Sequence, residues 1–266
     1  MIWTQEAENA VKNVPFFVRK KVRAKVEEQA RTRRGSQVIL ADVKAAQARF
    51  LKRMDKEIQG YRVEACFGAG GCPNRILESG RLLEKIEAMF QQEDLLGFLR
   101  RHVGENLKFH HEFRLALADC PNACSQPQIR DVGVIAAVDP KFTDEPCSLC
   151  GTCEEACREN AVRLSDDAPE IDMGLCLGCG QCIEACPTGT LIRSHEGYRV
   201  LLGGKLGRHP RLASALPGRY SEDEVIAIVR DCIHLYKSRS RGRRFSEMFT
   251  EEDLARLARR YQGTLS

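Results

Sequence analysis

The sequence has few aromatic residues and no long hydrophobic run. Its longest apolar stretches, such as VGVIAAV at residues 132–138, fall far short of the ~20 residues that span a bilayer. The N-terminal stretch MIWTQEAENAVKNV lacks an apolar signal core and carries Glu6 and Glu8, which a signal peptide avoids. Only 6% of the residues are aromatic, which gives little support for a nucleic-acid interface built on base stacking. We therefore expect a cytoplasmic protein with no membrane span and no nucleic-acid partner.

Cysteine, by contrast, is abundant, with 13 residues in a chain of 266. A disulfide scaffold requires an oxidising compartment, and the N-terminal sequence does not favour secretion. Most of the cysteines are spaced at short intervals, which is typical of metal ligands. Cys232 lies alone in the helical pattern SEDEVIAIVRDCIHLY, so we expect it to pack in a core. The other cysteines are expected to be ligands.

Basic residues are concentrated at the start of the chain. Residues 1–53 carry 13 lysines and arginines against 5 acidic residues, a net charge of +8, whereas the whole chain carries +4. Apolar residues recur every three or four positions after Pro15 and predict a helix that Gly35 ends. A second helical pattern runs over residues 43–54. We expect a small helical domain over residues 1–58, with a solvated basic face that docks an acidic partner.

The stretch WTQEAENAVKNVPFFVRKKVRAKVEEQA resembles the short helical domain at the C-terminal end of the B subunit of light-independent protochlorophyllide reductase. The resemblance covers roughly residues 3–48. In that family the domain belongs to a tetrapyrrole-reducing iron-sulfur enzyme, so the resemblance implies a redox context. It assigns no catalytic residue to this chain.

From Tyr61 onward the sequence alternates short strands with helices. Strands are predicted for YRVEAC, FRLALADC, DVGVIAAV and YRVLLGG, and helices near residues 82–90 and 95–102. Ser221 and Glu224 form a capping box before a further helix. We therefore expect an α+β fold. The expected domains are the helical domain of residues 1–58, an α/β domain of residues 59–140 and 190–266, and a cysteine-rich insert of residues 141–189.

Eight cysteines of the insert form two copies of one motif. The spacing C-x2-C-x2-C-x3-C occurs first at Cys147, Cys150, Cys153 and Cys157, and again at Cys176, Cys179, Cys182 and Cys186. Three thiolates of such a motif hold one 4Fe-4S cube, and the fourth reaches the other cube. The predicted ligand sets are therefore Cys147, Cys150, Cys153 and Cys186 for one cluster, and Cys176, Cys179, Cys182 and Cys157 for the other. The insert resembles bacterial two-cluster ferredoxins along its whole length.

The competing interpretation of these cysteines is a pair of structural zinc sites, because C-x2-C pairs also suit tetrahedral zinc. Together with the basic N-terminal segment, such sites would make the chain a zinc-dependent nucleic-acid binder. Two copies of a full four-cysteine motif exceed what zinc knuckles require, and zinc ribbons lack the further ligand three residues on. Iron-sulfur clusters are the favoured interpretation.

Four more cysteines lie outside the insert, at Cys66, Cys72, Cys120 and Cys124. The surrounding stretches CFGAGGC, DCPNACSQPQIRDVGVIA and VLLGGKLGRHPRL resemble the sirohaem-containing sulfite and nitrite reductases. This resemblance covers roughly residues 61–138 and 196–262. It implies that the four cysteines hold a third 4Fe-4S cluster, and that Cys124 also bridges to the iron of a bound sirohaem.

A sirohaem site needs cationic and backbone N–H donors, because sirohaem is a polycarboxylate and its substrates are small anions. Arg114 lies six residues before Cys120, where the family usually places a lysine or an arginine. Lys205 and Arg208 lie in the glycine-rich stretch GGKLGRHP. The resemblance thus implies Arg114, Lys205 and Arg208 as candidate catalytic residues. The alternative for each of them is an ordinary surface charge.

The chain departs from this family before Tyr61, where members carry a ferredoxin-like half-domain that completes the haem pocket. We expect an iron-sulfur oxidoreductase in which the insert clusters relay electrons to the third cluster, coupled through sirohaem to reduction of a small oxyanion. A second subunit or a second copy of the chain would complete the pocket. The alternative is a non-catalytic electron-transfer subunit without sirohaem. In both cases a redox partner protein donates or accepts the electrons.

Overall fold

The computed structural model describes residues 1–104 and 107–263, which fold into two compact units. The first unit comprises Met1–Gln59 together with Val103–Phe109. The second comprises Gly60–His102 and the chain from His110 onward.

The first unit consists mainly of three helices. Its elements, in chain order, are β1 (Ile2–Trp3), α1 (Gln5–Lys12), α2 (Phe16–Thr32), β2 (Gln37–Val38) and α3 (Leu40–Glu57). The two short strands form a parallel ribbon. The core of this unit consists of Ala7, Val11, Val26, Ala30, Val38 and Val43.

Local sequence explains where these helices begin and end. Pro15 precedes the first turn of α2. A backbone N–H at this position would have no hydrogen-bond partner within the helix, so proline, which lacks the N–H, is well tolerated there. The helix predicted after Pro15 and ended by Gly35 is confirmed, and residues 43–54 lie within α3, as predicted. The sequence pattern does not predict α1. That helix begins after Thr4, whose hydroxyl accepts a hydrogen bond from the Ala7 N–H at 3.4 Å.

A short segment from the middle of the chain belongs to the first unit. Within Val103–Phe109, the Leu107 N–H donates to Oδ1 of Asp55 in α3 at 3.1 Å, and the Leu107 side chain is fully buried. This segment falls in the residue range 59–140 that the sequence assigns to the second domain.

The second unit is a mixed structure of helices and strands, and the α+β fold expected from the sequence is confirmed. The strands are β3 (Tyr61–Ala65), β4 (Phe113–Ala118), β5 (Val132–Phe142), β6 (Val162–Leu164), β7 (Pro169–Ile171), β8 (Leu191–Leu202) and β9 (Ser214–Ala215). The helices after residue 60 are α4 (Gly80–Gln92), α5 (Leu95–Val103), α6 (Thr152–Ala156), α7 (Gln181–Ala185), α8 (Glu222–Arg239), α9 (Phe245–Met248) and α10 (Glu251–Arg260). Short 3₁₀ turns lie at Phe67–Gly70, Phe109–His111 and Pro127–Ile129.

Five strands form the main sheet in the order β3-β4-β5-β8-β9. β3, β4 and β5 run parallel, whereas β8 is antiparallel to β5 and β9 is antiparallel to β8. The β5–β8 pairing extends from Val132 opposite Leu202 to Phe142 opposite Leu191. Residues 143–190 connect these two strands and contain both copies of the cysteine motif.

Each predicted strand is present, but β8 begins at Leu191, earlier than the predicted start at Tyr198. The intervening stretch LIRSHEG is rich in polar residues and ends in glycine, so its composition does not favour a strand. Pairing with β5 extends the strand through this stretch, across an irregularity in the register between Val138 and Pro140.

Aromatic side chains from β4 and the packed helices form the core of the second unit. The ring of Phe113 lies 5.8 Å from that of Phe90, 5.6 Å from that of Tyr236 and 5.2 Å from that of Phe245, measured between centroids. Cys232, in α8, is also fully buried, which confirms that it packs in a core.

α8 begins as the sequence predicts. The Ser221 hydroxyl accepts a hydrogen bond from the Glu224 N–H at 3.3 Å, and the Glu224 carboxylate accepts one from the Ser221 N–H at 2.8 Å. This reciprocal capping box is confirmed. Among the described residues, none of the helices has both the length and the apolar character needed to cross a membrane.

Leu115 of β4 tests how strongly the sheet core stabilises the second unit. Its side chain is fully buried, so Leu115→Ala removes apolar contacts and leaves a cavity. We expect the free energy of unfolding to fall by about 2–5 kcal/mol, seen as a lower midpoint of anaerobic thermal unfolding followed by circular dichroism. Leu212→Ala is the matched control, because Leu212 is 68% exposed, and it should leave the midpoint unchanged. Equal losses in the two variants would contradict the core assignment.

Candidate metal centres

The first group of cysteines lies at one edge of the sheet. Cys66 directly follows β3, and Cys120 follows β4 after the single residue Asp119. Because β3 and β4 are parallel, their carboxyl ends meet at the same edge. The Cys66 N–H donates to the Leu117 carbonyl at 3.0 Å, which continues the strand pairing to the first cysteine. The topology therefore brings the CFGAGGC and CPNAC loops together.

Backbone N–H groups surround the sulfur atom of Cys66. The Gly68 N–H donates to Cys66 Sγ at 3.4 Å, and the Asp119 N–H donates to it at 3.3 Å. Such donors stabilise a thiolate ligand and tune its cluster. Position 68 requires glycine, since an added Cβ would lie 1.9 Å from Oδ2 of Asp119.

The thiols of Cys66, Cys72, Cys120 and Cys124 lie close enough to influence one another electrostatically. Burial raises the pKa of the Cys120 thiol, a hydrogen bond from the Asn122 N–H opposes this effect, and the charges of the other three thiols raise the pKa further. Cys120 is buried, whereas Cys124 is exposed and accepts a hydrogen bond from the Asn122 side-chain amide at 3.3 Å. The structure thus brings the four cysteines together. No sequence motif marked Asn122.

The glycine-rich stretch that carries Lys205 and Arg208 packs on the chain that follows Cys124. An added Cβ at Gly204 would lie 2.5 Å from the carbonyl oxygen of Gln128, so the two backbones are in close contact. Lys205 is half-buried and Arg208 is exposed. The structure therefore brings this loop near the first cysteine group.

Arg114 is placed elsewhere. It is the second residue of β4, and Cys120 lies beyond the opposite end of that strand. Six residues of extended chain, at about 3.3 Å each, separate the two by about 20 Å. Burial and the charge of Arg244 lower the pKa of the Arg114 guanidinium, while Asp131 raises it. The length of β4 therefore separates the Arg114 backbone from the cysteines, and the catalytic role of Arg114 stays a prediction.

The insert builds the same local structure twice. α6 begins after Gly151, with a φ of 77°, and α7 begins after Gly180, with a φ of 73°. Glycine adopts this left-handed conformation at little cost. The helices carry Cys153 and Cys182, which are 7% and 8% exposed and share one small core.

One group of insert thiols surrounds Cys153. Burial raises the pKa of Cys153, and the charges of Cys147 and Cys186 raise it further. Burial also raises the pKa of Cys186, but hydrogen bonds to Leu191 and Thr188 outweigh this effect and lower the pKa to about 7. Cys186 belongs to the second motif, so this group draws thiols from both motifs.

The other group surrounds Cys182. Burial raises its pKa to about 12, and the charges of Cys176, Cys179 and Cys157 contribute to the increase. Here the thiol from the other motif is Cys157. The charges that act on each buried thiol thus include that of the last cysteine of the other motif, and the exchange of ligands between the motifs stays a prediction.

Hydrogen bonds to sulfur recur in both motifs. The N–H two residues after Cys147 donates to its Sγ at 3.4 Å, and the corresponding N–H donates to Cys176 Sγ at 3.4 Å. The sulfur of Cys150 lies 3.3 Å from the Thr152 hydroxyl, and hydrogen bonds from that residue lower the pKa of Cys150. These contacts favour the thiolate form, which is the form that binds metal.

The donors at these sites are cysteine thiols, the ligands that hold 4Fe-4S clusters. Over residues 1–104 and 107–263, no three His, Cys, Asp or Glu side chains lie close enough together to hold one metal ion. A tetrahedral zinc site needs every sulfur about 2.3 Å from the same metal. A 4Fe-4S cube binds each thiolate through a different iron, so it accepts four thiols that are spaced more widely.

A cavity of ≈ 630 Å³ adjoins two of the cysteine groups. Its wall includes Cys120 and Cys179, together with Arg75, Arg158 and Arg193. The spacing analysis identified the cysteines but not the arginines. No local motif marks these arginines. They line the same cavity only because the insert packs beside the loop that follows Cys72.

Comparison with known proteins extends these observations. Residues 60–261 match the nitrite and sulphite reductase 4Fe-4S domain, and residues 3–47 match the proto-chlorophyllide reductase 57 kD subunit. The coenzyme F420-dependent sulfite reductase of Methanocaldococcus jannaschii is 30% identical over 172 residues, which are 65% of this chain and 25% of that protein. The C subunit of the anaerobic sulfite reductase of Salmonella typhimurium is 28% identical over 127 residues, which are 46% of this chain and 36% of that protein.

At the N-terminus, the B subunit of the light-independent protochlorophyllide reductase of Chlorobium limicola is 58% identical over 43 residues, which are 16% of this chain and 8% of that protein. This match confirms the resemblance of the helical segment. The chain spans well under two thirds of the length of each of these relatives.

The fold also has a counterpart among solved structures. The crystal structure of dissimilatory sulfite reductase I matches with a TM-score of 0.50 and 16% identity, over 74% of this chain and 51% of that chain. At this identity the likeness concerns the fold alone. Since the 4Fe-4S domain match covers residues 60–261, more than half of the sequence, the chain belongs to the nitrite and sulphite reductase 4Fe-4S domain family.

Proposed function

We propose that the chain is an electron-transferring iron-sulfur oxidoreductase that holds three 4Fe-4S clusters. Its sulfite reductase relatives support the iron-sulfur oxidoreductase role, and the domain match supports 4Fe-4S binding. The observation that carries the proposal is the convergence of thiols into three groups, each with one buried member: Cys120, Cys153 and Cys182.

In this proposal residues 141–189 form a two-cluster ferredoxin domain within a reductase domain of residues 59–140 and 190–266, preceded by the helical domain of residues 1–58. The third cluster is held by Cys66, Cys72, Cys120 and Cys124. The proximal cluster is held by Cys157, Cys176, Cys179 and Cys182. The distal cluster is held by Cys147, Cys150, Cys153 and Cys186.

Electrons pass from the insert to the third cluster. The cavity supports this route, because its wall contains Cys179 of the proximal cluster and Cys120 of the third cluster. The loop that carries Cys179 is fixed to the sheet, since the Val138 N–H donates to the Gly178 carbonyl at 2.9 Å. β5 therefore contacts the insert through Val138 and also pairs with β4, the strand that leads to Cys120.

Cys124 is the thiol best placed to touch a further cofactor. It is exposed, and the loop that carries Lys205 and Arg208 packs on the chain that follows it. These features fit a sirohaem whose carboxylates are bound by cationic side chains and backbone N–H groups. When bound, sirohaem supplies an iron at which a small oxyanion such as sulfite is reduced. Lys205 and Arg208 bind anionic groups in this arrangement, and Arg114, near the start of β4, is a further candidate catalytic residue.

The proposed site is completed by a partner protein. The Salmonella typhimurium relative is named as one of the subunits of an anaerobic sulfite reductase. In this chain the residues before Tyr61 form the helical unit, so the missing half of the haem pocket is assigned to a second subunit or a second copy. A redox partner protein supplies the electrons. Clusters held by reduced cysteine thiolates suit a reducing compartment such as the cytoplasm.

A second candidate function is electron transfer to a partner reductase without bound sirohaem. The surface of α2 favours this alternative, since Phe16 and Phe17 at its start are 82% and 73% exposed. The same helix carries the exposed Lys20 and Lys21. An apolar and basic surface of this kind suits an acidic partner protein.

Iron analysis and EPR spectroscopy of the anaerobically purified full chain test the cluster count. Three 4Fe-4S clusters require about twelve iron atoms and as many acid-labile sulfides per chain. Reduction should produce the signals of three one-electron centres, and red and Soret absorption bands in the same sample would identify sirohaem. Zinc in place of iron would contradict the proposal. Iron without those bands would select the electron-transfer alternative.

Cys124→Ser tests the third cluster. We expect this variant to lose about four iron atoms per chain and any haem absorption, because serine replaces the proposed bridging thiolate. The two insert clusters should keep their EPR signals. Cys232→Ala is the matched control, because Cys232 is fully buried in α8 outside every cysteine group, and it should retain all the iron. A full iron content in Cys124→Ser would refute its role as a ligand.

Single serine variants also test the exchange of cysteines between the insert motifs. Cys157→Ser and Cys179→Ser should abolish the same EPR signal, that of the proximal cluster. Cys186→Ser and Cys150→Ser should abolish the other, because each cube takes its fourth thiolate from the opposite motif. Loss of one common signal in Cys157→Ser and Cys150→Ser would show instead that each motif holds its own cluster.

A further inference from the structure

A group of charged side chains lies beneath the loop that carries Cys176 and Cys179. The Gly178 carbonyl accepts a hydrogen bond from the Val138 N–H at 2.9 Å, which holds the loop against β5. An added Cβ at Gly178 would lie 3.1 Å from Nη2 of Arg219. The Arg219 guanidinium therefore packs directly beneath the backbone of this loop.

Arg219 and Arg199 share this space with one carboxylate. Nη2 of Arg219 donates to Oδ1 of Asp139 at 2.6 Å, and these side chains are only 13% and 3% exposed. Arg199 lies in β8, two residues after Gly197, where an added Cβ would lie 3.4 Å from Cβ of Arg219, so Arg199 shares the strand face against which Arg219 packs. The electrostatics agree, since the charge of Arg199 interacts with those of Arg219, Cys176 and Asp139. Arginine remains protonated in proteins. Two cations and one anion therefore give this group of three side chains a net charge of +1.

The distal cluster has a different electrostatic environment. Its buried ligand, Cys153, is followed directly by Glu154 and Glu155, which are exposed in the first turn of α6. Cys150 of the same set is also exposed. The charges next to this set are therefore negative and face solvent. Beneath the Cys176 loop, by contrast, Arg219 and Asp139 are almost fully buried and Arg199 is half-buried, and the three together are net positive.

These charges act on the clusters in opposite directions. Reduction of a 4Fe-4S cluster adds one electron and therefore one negative charge. A positive charge in a low-dielectric interior stabilises the reduced form, and salt screens it less than it screens a surface charge. Net charge and burial are among the properties that set cluster potentials. The arginines should raise the potential of the proximal cluster, and the glutamates should lower that of the distal cluster.

We propose that Arg199, packed with Arg219 and Asp139, raises the reduction potential of the proximal cluster above that of the distal cluster. One electron then leaves the reduced distal cluster, which is oxidised, and enters the proximal cluster, which is reduced. No bond or proton changes place. The electron collects at the cluster that shares a cavity wall with Cys120. This inference rests on the proposed cluster assignment and does not depend on sirohaem.

Redox titration of the anaerobic full chain, followed by EPR, tests the inference. Arg199→Gln removes the charge and should lower the midpoint of the proximal cluster, identified as the signal that Cys157→Ser abolishes. At a fixed potential the ratio of reduced to oxidised cluster should fall about tenfold, which equals about 59 mV for a one-electron couple. Arg199→Lys keeps the charge and should keep the midpoint. Asp139→Asn removes the neighbouring negative charge and should shift the same midpoint upward.

Arg163→Gln is the matched control, because Arg163 is an exposed arginine of the same insert, in β6, and it should move neither midpoint. An unchanged proximal midpoint in Arg199→Gln, or equal decreases in the glutamine and lysine variants, would overturn the inference and leave the proposed function intact. If Arg199→Gln fails to assemble the proximal cluster, Asp139→Asn becomes the deciding variant. A midpoint potential of the proximal cluster that does not rise in Asp139→Asn would then overturn the inference. Absence of insert signals in the parent chain would overturn the proposed function itself.

Discussion

The antiparallel pairing of β5 with β8 is the interaction on which the second unit depends, because each end of the pair leads to a different group of functional residues. At one end, where Val132 faces Leu202, the chain enters the glycine-rich stretch that packs on the residues after Cys124. At the other end, where Phe142 faces Leu191, it enters the cysteine-rich insert. A shift of one residue would exchange the buried and exposed faces of β8. The register that buries the core therefore also fixes where both sites lie.

Backbone geometry accounts for most of the assembly of the thiols. Parallel β3 and β4 bring Cys66 and Cys120 to the same sheet edge, and left-handed glycines turn the chain into the short helices that carry Cys153 and Cys182. Side chains then make the three groups unlike one another. Cys124 is left exposed beside a cationic loop, while the loop that carries Cys176 rests on buried charges. Similar groups of cysteines are thus placed in environments that differ in solvent access and in charge.

Local sequence predicted those parts of the structure that local interactions determine. The helix after Pro15, the capping box of α8 and the grouping of cysteines by spacing all depend on residues that are near one another in the chain. The early start of β8 depends on pairing with β5, which the composition of the stretch itself does not encode. The six-residue interval between Arg114 and Cys120 is also short in sequence but about 20 Å along an extended strand, so the sequence alone does not show how far apart the two residues lie. Arg199 carries no motif, and its proximity to Cys176 arises only when the insert folds onto the sheet.

The two ends of the insert lie side by side. The Thr143 N–H donates to the Thr190 carbonyl at 2.9 Å, so the chain leaves the sheet and returns to it at neighbouring positions. A connection of this kind can lengthen or shorten without any change in how the flanking strands pair, since only the closure entropy of the loop depends on its length. The sheet therefore keeps its own core whatever the length of the segment between β5 and β8. The cysteine-rich insert and the core that carries it are free to change independently of each other.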